Sequence, residues 1–180
     1  MKQLLVIFIV SLLAVACSDP APQKKKPFNE ERVKEPLVEA NQNSVRTEDE
    51  DINLYVKRQQ LDIVRSESGL RYRISKTGHG KQIKAKDIVT YSYQTFSIDG
   101  ILLYSSEKDG NKTVEVEKNN EIQAIDESLK LMRNGDSAHL VIPSHLAYGV
   151  AGDGDKIRQR IPIVMKIKVL NVKFPNKNIN

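Results

Sequence analysis

The stretch LKLMRNGDSAHLVIPSHLAYGVAGDGDKI, residues 129–157, runs through a helix end, a strand and a loop crowded with glycine and aspartate. Leu129 closes a face on which Ile122, Ile125, Leu129 and Met132 recur at helical spacing, so the periodicity predicts a helix over residues 121–133. Asn134–Gly135 is a helix-stop signal. In AHLVI, Ala138, Leu140 and Ile142 then alternate as a half-buried strand does. The loop AYGVAGDGDKI, residues 147–157, has the composition of a phosphate cradle, a calcium loop or the rim of a pocket. Gly149 and Gly154 have P-loop spacing, but Asp155 stands where such a loop carries its lysine, and RQRIPI leads into a strand rather than a helix. An anion there meets two carboxylates and no helix N-terminus. Asp153 and Asp155 open like a calcium loop, yet no downstream glutamate or flanking helix completes one. His79, His139 and His145 lack metal-ligand spacing, and no motif places a serine beside a base. No metal, cofactor or nucleophilic catalysis is expected, and the pocket-rim reading stays open.

The period-two pattern extends both ways. LRYRI from Leu70, IVTYSYQTF with Val89, Tyr91 and Tyr93 on one face, ILLY and TVEV read as strands, with turns at residues 78–80 and at Asp99–Gly100. The last strand buries Ile163, Met165, Ile167 and Val169 and turns Lys166 and Lys168 to water. The expected fold is α+β, an antiparallel sheet of about five strands curled around one central helix, with an extra N-terminal helix. That helix is expected over residues 46–66. Thr47 and Glu50 have capping-box spacing at its start, and Ile52, Tyr55 and Val56 share one face.

The beginning of the chain reads differently. Met1–Lys2 precedes an apolar run from Leu4 to Ala16, too short to span a bilayer of about 30 Å as a helix but suited to a secretory leader. It ends LLAVAC, and Cys17 is the chain's one cysteine. This resembles a bacterial lipobox, implying cleavage after residue 16 and acylation of Cys17; an ordinary cleaved leader with an incidental cysteine is the alternative. Residues 17–45 are polar, with prolines and the run Lys24–Lys26, and are expected to form a flexible tether. Those lysines either touch anionic headgroups or keep the tether soluble. The formal charge of +5 comes from lysines and arginines spread along strand faces, so no nucleic-acid partner is expected. With no second cysteine, the domain of residues 67–175 must be held by its core.

The ordered set Leu129, Met132, Gly135, Leu140, Ile142, Pro143, Ala147, Tyr148, Gly149, Gly152 and Ile157, with DIVTYSYQTFSIDGILLYSS upstream, resembles the FKBP-type peptidyl-prolyl isomerases over residues 69–173. With the leader and the GDxxKI loop, the chain is most similar to the gliding-motility-associated isomerase lipoproteins of flavobacteria. The resemblance implies a catalytic set of Tyr148, whose hydroxyl binds the substrate carbonyl, Tyr91 on the wall, and Ile157, which offers an apolar side chain and backbone groups. It implies substrate contacts from Leu103, Tyr104, Val114, Ile122, Ile125 and Met165. Leu103 and Met165 stand where the family commonly has phenylalanine. Ile125 replaces the floor tryptophan, and Tyr104 replaces an aspartate. A shallower pocket and weaker catalysis are expected, since aromatic walls supply large rigid surfaces. The implied function is isomerisation of proline-containing clients among exported or envelope proteins, those of gliding or secretion included. The implied place is the envelope, lipid-anchored, at the periplasmic side of the outer membrane. A non-catalytic binding or scaffold lipoprotein of the same fold is the alternative.

Overall fold

The structure is a computed structural model that describes residues 30–118 and 121–175. The stretch expected to be a leader, the run Lys24–Lys26 and Cys17 lie outside those residues. By internal contacts the chain divides into Met1–Glu39 and Ala40–Asn180. Among the described residues no helix is long and apolar enough to cross a membrane.

Helix α1 spans Glu30–Arg58, so much of the stretch expected to be a tether is helical, and the helix begins before Thr47 rather than at it. EERVKE and LVEANQ are good helix formers, and Pro36 falls in the second turn. Thr47 lies within the helix and donates its hydroxyl to the Asn43 carbonyl at 3.0 Å, the back-bond a mid-helix threonine makes. The helix ends in a Schellman turn. Leu61 N–H reaches the Val56 carbonyl at 3.1 Å, Gln60 N–H reaches Lys57 at 3.2 Å, and Gln60 takes φ +50°.

The strands β1 Val64–Arg65, β2 Arg71–Ser75, β4 Ile88–Ser97, β5 Leu102–Ser105, β6 Lys112–Glu115, β8 Ser137–Ile142 and β9 Ile163–Lys173 form one antiparallel sheet in the order β1-β2-β8-β9-β4-β5. β6 pairs with the first half of β4, on the side that β5 takes further along. The sheet has seven strands where the sequence suggested about five; the one its periodicity did not mark is the two-residue β1, which falls inside the helix expected over residues 46–66. Two more strands, β3 His79–Gln82 and β7 Arg133–Asn134, pair with each other. The residues expected to be a turn and a helix end thus form a small ladder. Asp136 sets it by accepting Gly78 N–H and Arg133 N–H, each at 2.8 Å. A side chain at Gly78 would put its Cβ 2.3 Å from the Asn134 carbonyl, so only glycine fits.

After the short helix α2, Ser106–Asp109, the helix α3, Gln123–Lys130, is shorter than expected and lies over the inner face of the sheet, with Ile125 and Leu129 fully buried. The core beneath it joins Leu70, Tyr91, Leu140, Ile142 and Ile163 from three strands and the approach to β2. On the outer face, Ile52 and Tyr55 of α1 pack on Val141 and Val164. Asp49 accepts the Arg71 guanidinium at 2.6 Å, and the Glu48 carboxylate takes the Ser144 N–H and hydroxyl. Residues from Glu48 to Val56 are therefore fixed to the sheet by apolar burial and by charge.

Candidate functional site

The nine candidate residues come from four strands, one helix and two loops, and they meet in one apolar cluster. Tyr91 is on β4, Leu103 and Tyr104 on β5, Val114 on β6 and Met165 on β9. Ile122 precedes α3 and Ile125 lies within it. Tyr148 follows the 3-10 turn Ser144–Leu146, and Ile157 ends the glycine-rich loop. The cluster has two depths. Tyr91 and Ile125 are 0% exposed, and Val114, Ile157 and Met165 are below 5%. Tyr148, Tyr104, Leu103 and Ile122 are half-buried and form the surface that solvent meets. The inner positions are filled by the chain's own side chains, so this surface is shallow.

The loop's aspartates serve the loop itself. Asp153 Oδ1 accepts the N–H groups of Asp155 at 2.9 Å and Ile157 at 2.8 Å. Asp153 Oδ2 accepts the Tyr104 hydroxyl at 2.5 Å, which also reaches Asp155 at 3.3 Å. Burial pulls the Asp153 carboxyl up, but the Tyr104 hydroxyl and the loop amides together hold it below the usual range. Lys156 lies 4.4 Å from the Tyr104 ring centre and donates to the Leu103 carbonyl at 3.0 Å. Gly152 takes φ +72°, and a Cβ there would sit 2.4 Å from the Ile157 carbonyl, so glycine is required where the loop closes on itself. The loop is thereby held against β5 at the rim of the cluster.

Tyr148 is raised above the ordinary phenol range by burial, then by the Glu121 and Asp153 carboxylates and by Tyr93. It therefore stays protonated and can donate near neutral pH. Tyr91 is pushed further up, by burial first and Glu121 second, and its buried hydroxyl has no well-formed hydrogen bond. Three further residues border this region. Glu121, whose side chain is 10% exposed, pairs with Lys112 at 2.6 Å. Lys112 stands 5.4 Å from the centre of the Tyr93 ring, and that ring meets Tyr91 edge-on at 6.3 Å. The alternation in IVTYSYQTF places Tyr93 on this face in the sequence. Nothing local marks the Lys112–Glu121 pair, which joins β6 to the approach to α3.

A groove of about 760 Å³ runs from Leu103 and Ile157 to α1, where Glu48, Asp51 and Leu54 line it. A chain segment lying over the shallow surface has room to continue along it.

The model for the family FKBP-type peptidyl-prolyl cis-trans isomerase matches residues 79–170, just over half of the chain. A probable FKBP-type peptidyl-prolyl cis-trans isomerase FkpA of Neisseria meningitidis serogroup B is 38% identical over 108 residues, covering 60% of this chain and 39% of that protein. The outer membrane protein MIP of Legionella longbeachae is 34% identical over 106 residues, 59% of this chain and 45% of that one. The chain thus spans less than half the length of these two relatives. Among solved structures, FkpA from Escherichia coli superposes with a TM-score of 0.63 at 22% identity, covering 96% of this chain and 82% of that one. That likeness speaks for the fold.

Proposed function

The chain belongs to the FKBP-type peptidyl-prolyl cis-trans isomerase family, and we propose that it catalyses prolyl isomerisation in proline-containing segments of exported or envelope proteins. A prolyl amide rotates over a barrier of about 18–20 kcal/mol because resonance keeps it planar. Uncatalysed exchange takes tens to hundreds of seconds, slow enough to limit folding. Lowering the barrier needs no nucleophile, only a surface that binds the twisted amide better than the planar one. Tyr148 supplies a protonated hydroxyl for the carbonyl, and Ile122, Leu103 and the Tyr104 ring supply apolar contact around it. The observation that carries this reading is the meeting of all nine candidate residues in one cluster within a matched family domain.

In this reading Cys17 is acylated and tethers the domain at the periplasmic side of the outer membrane, and gliding or secretion components are among the clients. The lipobox-like LLAVAC supports the anchor. Two acyl chains hold a protein stably where one does not. Fractionation of wild type against Cys17→Ala tests it: the variant should leave the membrane fraction, and its retention there refutes the anchor.

A protease-coupled assay with proline peptides tests the activity on residues 18–180. The expected result is acceleration over the uncatalysed rate for at least one residue preceding proline. No acceleration across a varied series refutes catalysis. A second reading, a non-catalytic client-binding module, draws support from the burial of Tyr91, Ile125 and Met165, which leaves little depth for a proline ring. It requires that Tyr148→Phe and Ile157→Ala leave cellular function intact.

A further inference from the structure

We propose that the outer face of the sheet carries a second ligand site, a groove that binds a soluble phosphate-bearing anion through Arg73, Lys166 and Lys168. The strand register sets two rows of side chains across β2, β8, β9 and β4. One row reads Arg73, His139, Lys166, Gln94, and the next reads Ser75, Ser137, Lys168, Ser92. The row beyond, from Arg71 through Val141 and Val164 to Phe96, is covered by Ile52 and Tyr55 of α1. The helix therefore walls one side, and the short helix α2, Ser106–Asp109, borders the β4 side through Ser106 and Glu107. Between them the serines leave a sunken floor. The groove encloses about 590 Å³, within the roughly 300–1,000 Å³ of small-molecule sites.

Its charge is one-sided. Three cations and a histidine line it against the single carboxylate of Glu107. Among the described residues no carboxylate lies within ion-pair distance of Arg73, Lys166 or Lys168. Lys166 rests instead 5.4 Å from the Phe96 ring centre. The unbalanced field is felt at His139, where Lys166 and Arg73 add to burial in disfavouring protonation. A concave surface of one charge sign concentrates counter-ions.

The chemistry favours a phosphate-bearing ligand over an acidic peptide. On the face itself β8 and β9 are paired on both sides, so an extended peptide lying across them finds no ladder to join. A tetrahedral oxyanion can take the planar Arg73 fork, the lysine ammonium groups and the serine hydroxyls together. The two rows lie about 6.6–6.8 Å apart, two residues along a strand, so one ligand with two anionic groups can meet both. The recessed floor also favours a soluble molecule, since a flat bilayer surface does not reach hydroxyls between α1 and α2. Ser92 and Gln94 face away from the Tyr91 and Tyr93 rings by strand alternation; Tyr93 also borders the groove, but Arg73, Lys166 and Lys168, which hold the anion, are none of the nine isomerase candidates.

The test is titration of the full-length chain with inorganic pyrophosphate at low ionic strength, followed by amide chemical shifts and calorimetry. Saturable one-to-one binding is expected, with shifts centred on residues 73, 139 and 168. Arg73→Ser with Lys168→Ser should weaken it at least tenfold with an unchanged melting temperature, whereas Lys81→Ser with Lys84→Ser, away from the groove, should not. Absent or non-saturating binding, or equal weakening by both pairs, overturns the proposal. So does a pattern in which polyglutamate or phosphatidylglycerol vesicles bind in a manner dependent on Arg73 and Lys168 while pyrophosphate does not.

Discussion

The Tyr104 hydroxyl donates a 2.5 Å hydrogen bond to Asp153, joining β5 to the glycine-rich loop across 49 positions of sequence. That contact changes the meaning of both residues. Tyr104 is more than a missing aspartate, and Asp153 organises the loop rather than awaiting an ion.

Tyr104→Phe keeps the ring under Lys156 and removes the hydroxyl. Hydrogen bonds to charged groups are worth roughly 1.5–3 kcal/mol, and half-burial of Tyr104 places this one at the low end, about 1.5 kcal/mol by urea denaturation. Faster amide exchange across residues 149–157 should accompany the loss. An unchanged urea midpoint and exchange pattern count against a structural role for the contact.

Gly152→Ala forces a Cβ to within 2.4 Å of the Ile157 carbonyl at φ +72°. The loop must open, and the cost should exceed the roughly 1 kcal/mol of an ordinary Gly→Ala mismatch. Gly154→Ala meets no atom within 4 Å, but its φ of +79° is still strained. It should be the milder of the two in a thermal melt.

Asp49, held by Arg71, contributes to the acid side of stability, as Asp153 does. Arg71 is 3% exposed, and its hydrogen bond to Asp49 is the main cause holding that carboxyl below 3.8, with the Arg71 and Arg65 charges adding to it. A carboxyl lowered on folding stabilises fully above its unfolded value, and the gain disappears as pH falls through the folded one. The urea midpoint should therefore drop below about pH 4, and Asp49→Asn should flatten that drop. At neutral pH Asp49→Ala should cost about 2–3 kcal/mol, since it strands a buried guanidinium, although Asn53 and Gly69 remain as partners.

His139 acts in a higher window. Burial first, then Lys166 and Arg73, lower its pKa from 6.5. The unfolded chain accepts a proton near 6.5 while the folded one resists, so this stability is complete above 6.5 and declines as pH falls below it. NMR titration should show His139 ionising below 6.5, and His139→Gln should remove its share of the slope.

The period-two strands and the α3 face were legible because each position of Tyr91, Tyr93, Ile125 or Leu140 repeats a local rule. The β3–β7 pair was not, since His79–Gln82 has no alternation and its partner is fixed by Asp136, remote in sequence. The early start of α1 was obscured by Pro36 and by a polar composition that also suits a tether. The nine candidate residues could be gathered by resemblance to a family, but their depths could not. Whether Met165 or Ile125 borders a cavity or fills one depends on neighbours from other strands. Lys112 with Glu121, and Tyr104 with Asp153, pair over loops that local spacing cannot join.

The surface around Tyr148 is proposed to speed rotation of a prolyl bond. Exchange NMR on a proline peptide, with wild type and Tyr148→Phe of equal melting temperature, tests it most directly. Catalysis at Tyr148 requires cis–trans exchange faster than in peptide alone, reduced about tenfold by the variant, which is about 1.4 kcal/mol of barrier. Exchange at the uncatalysed rate with wild type, or equal acceleration by both proteins, contradicts it.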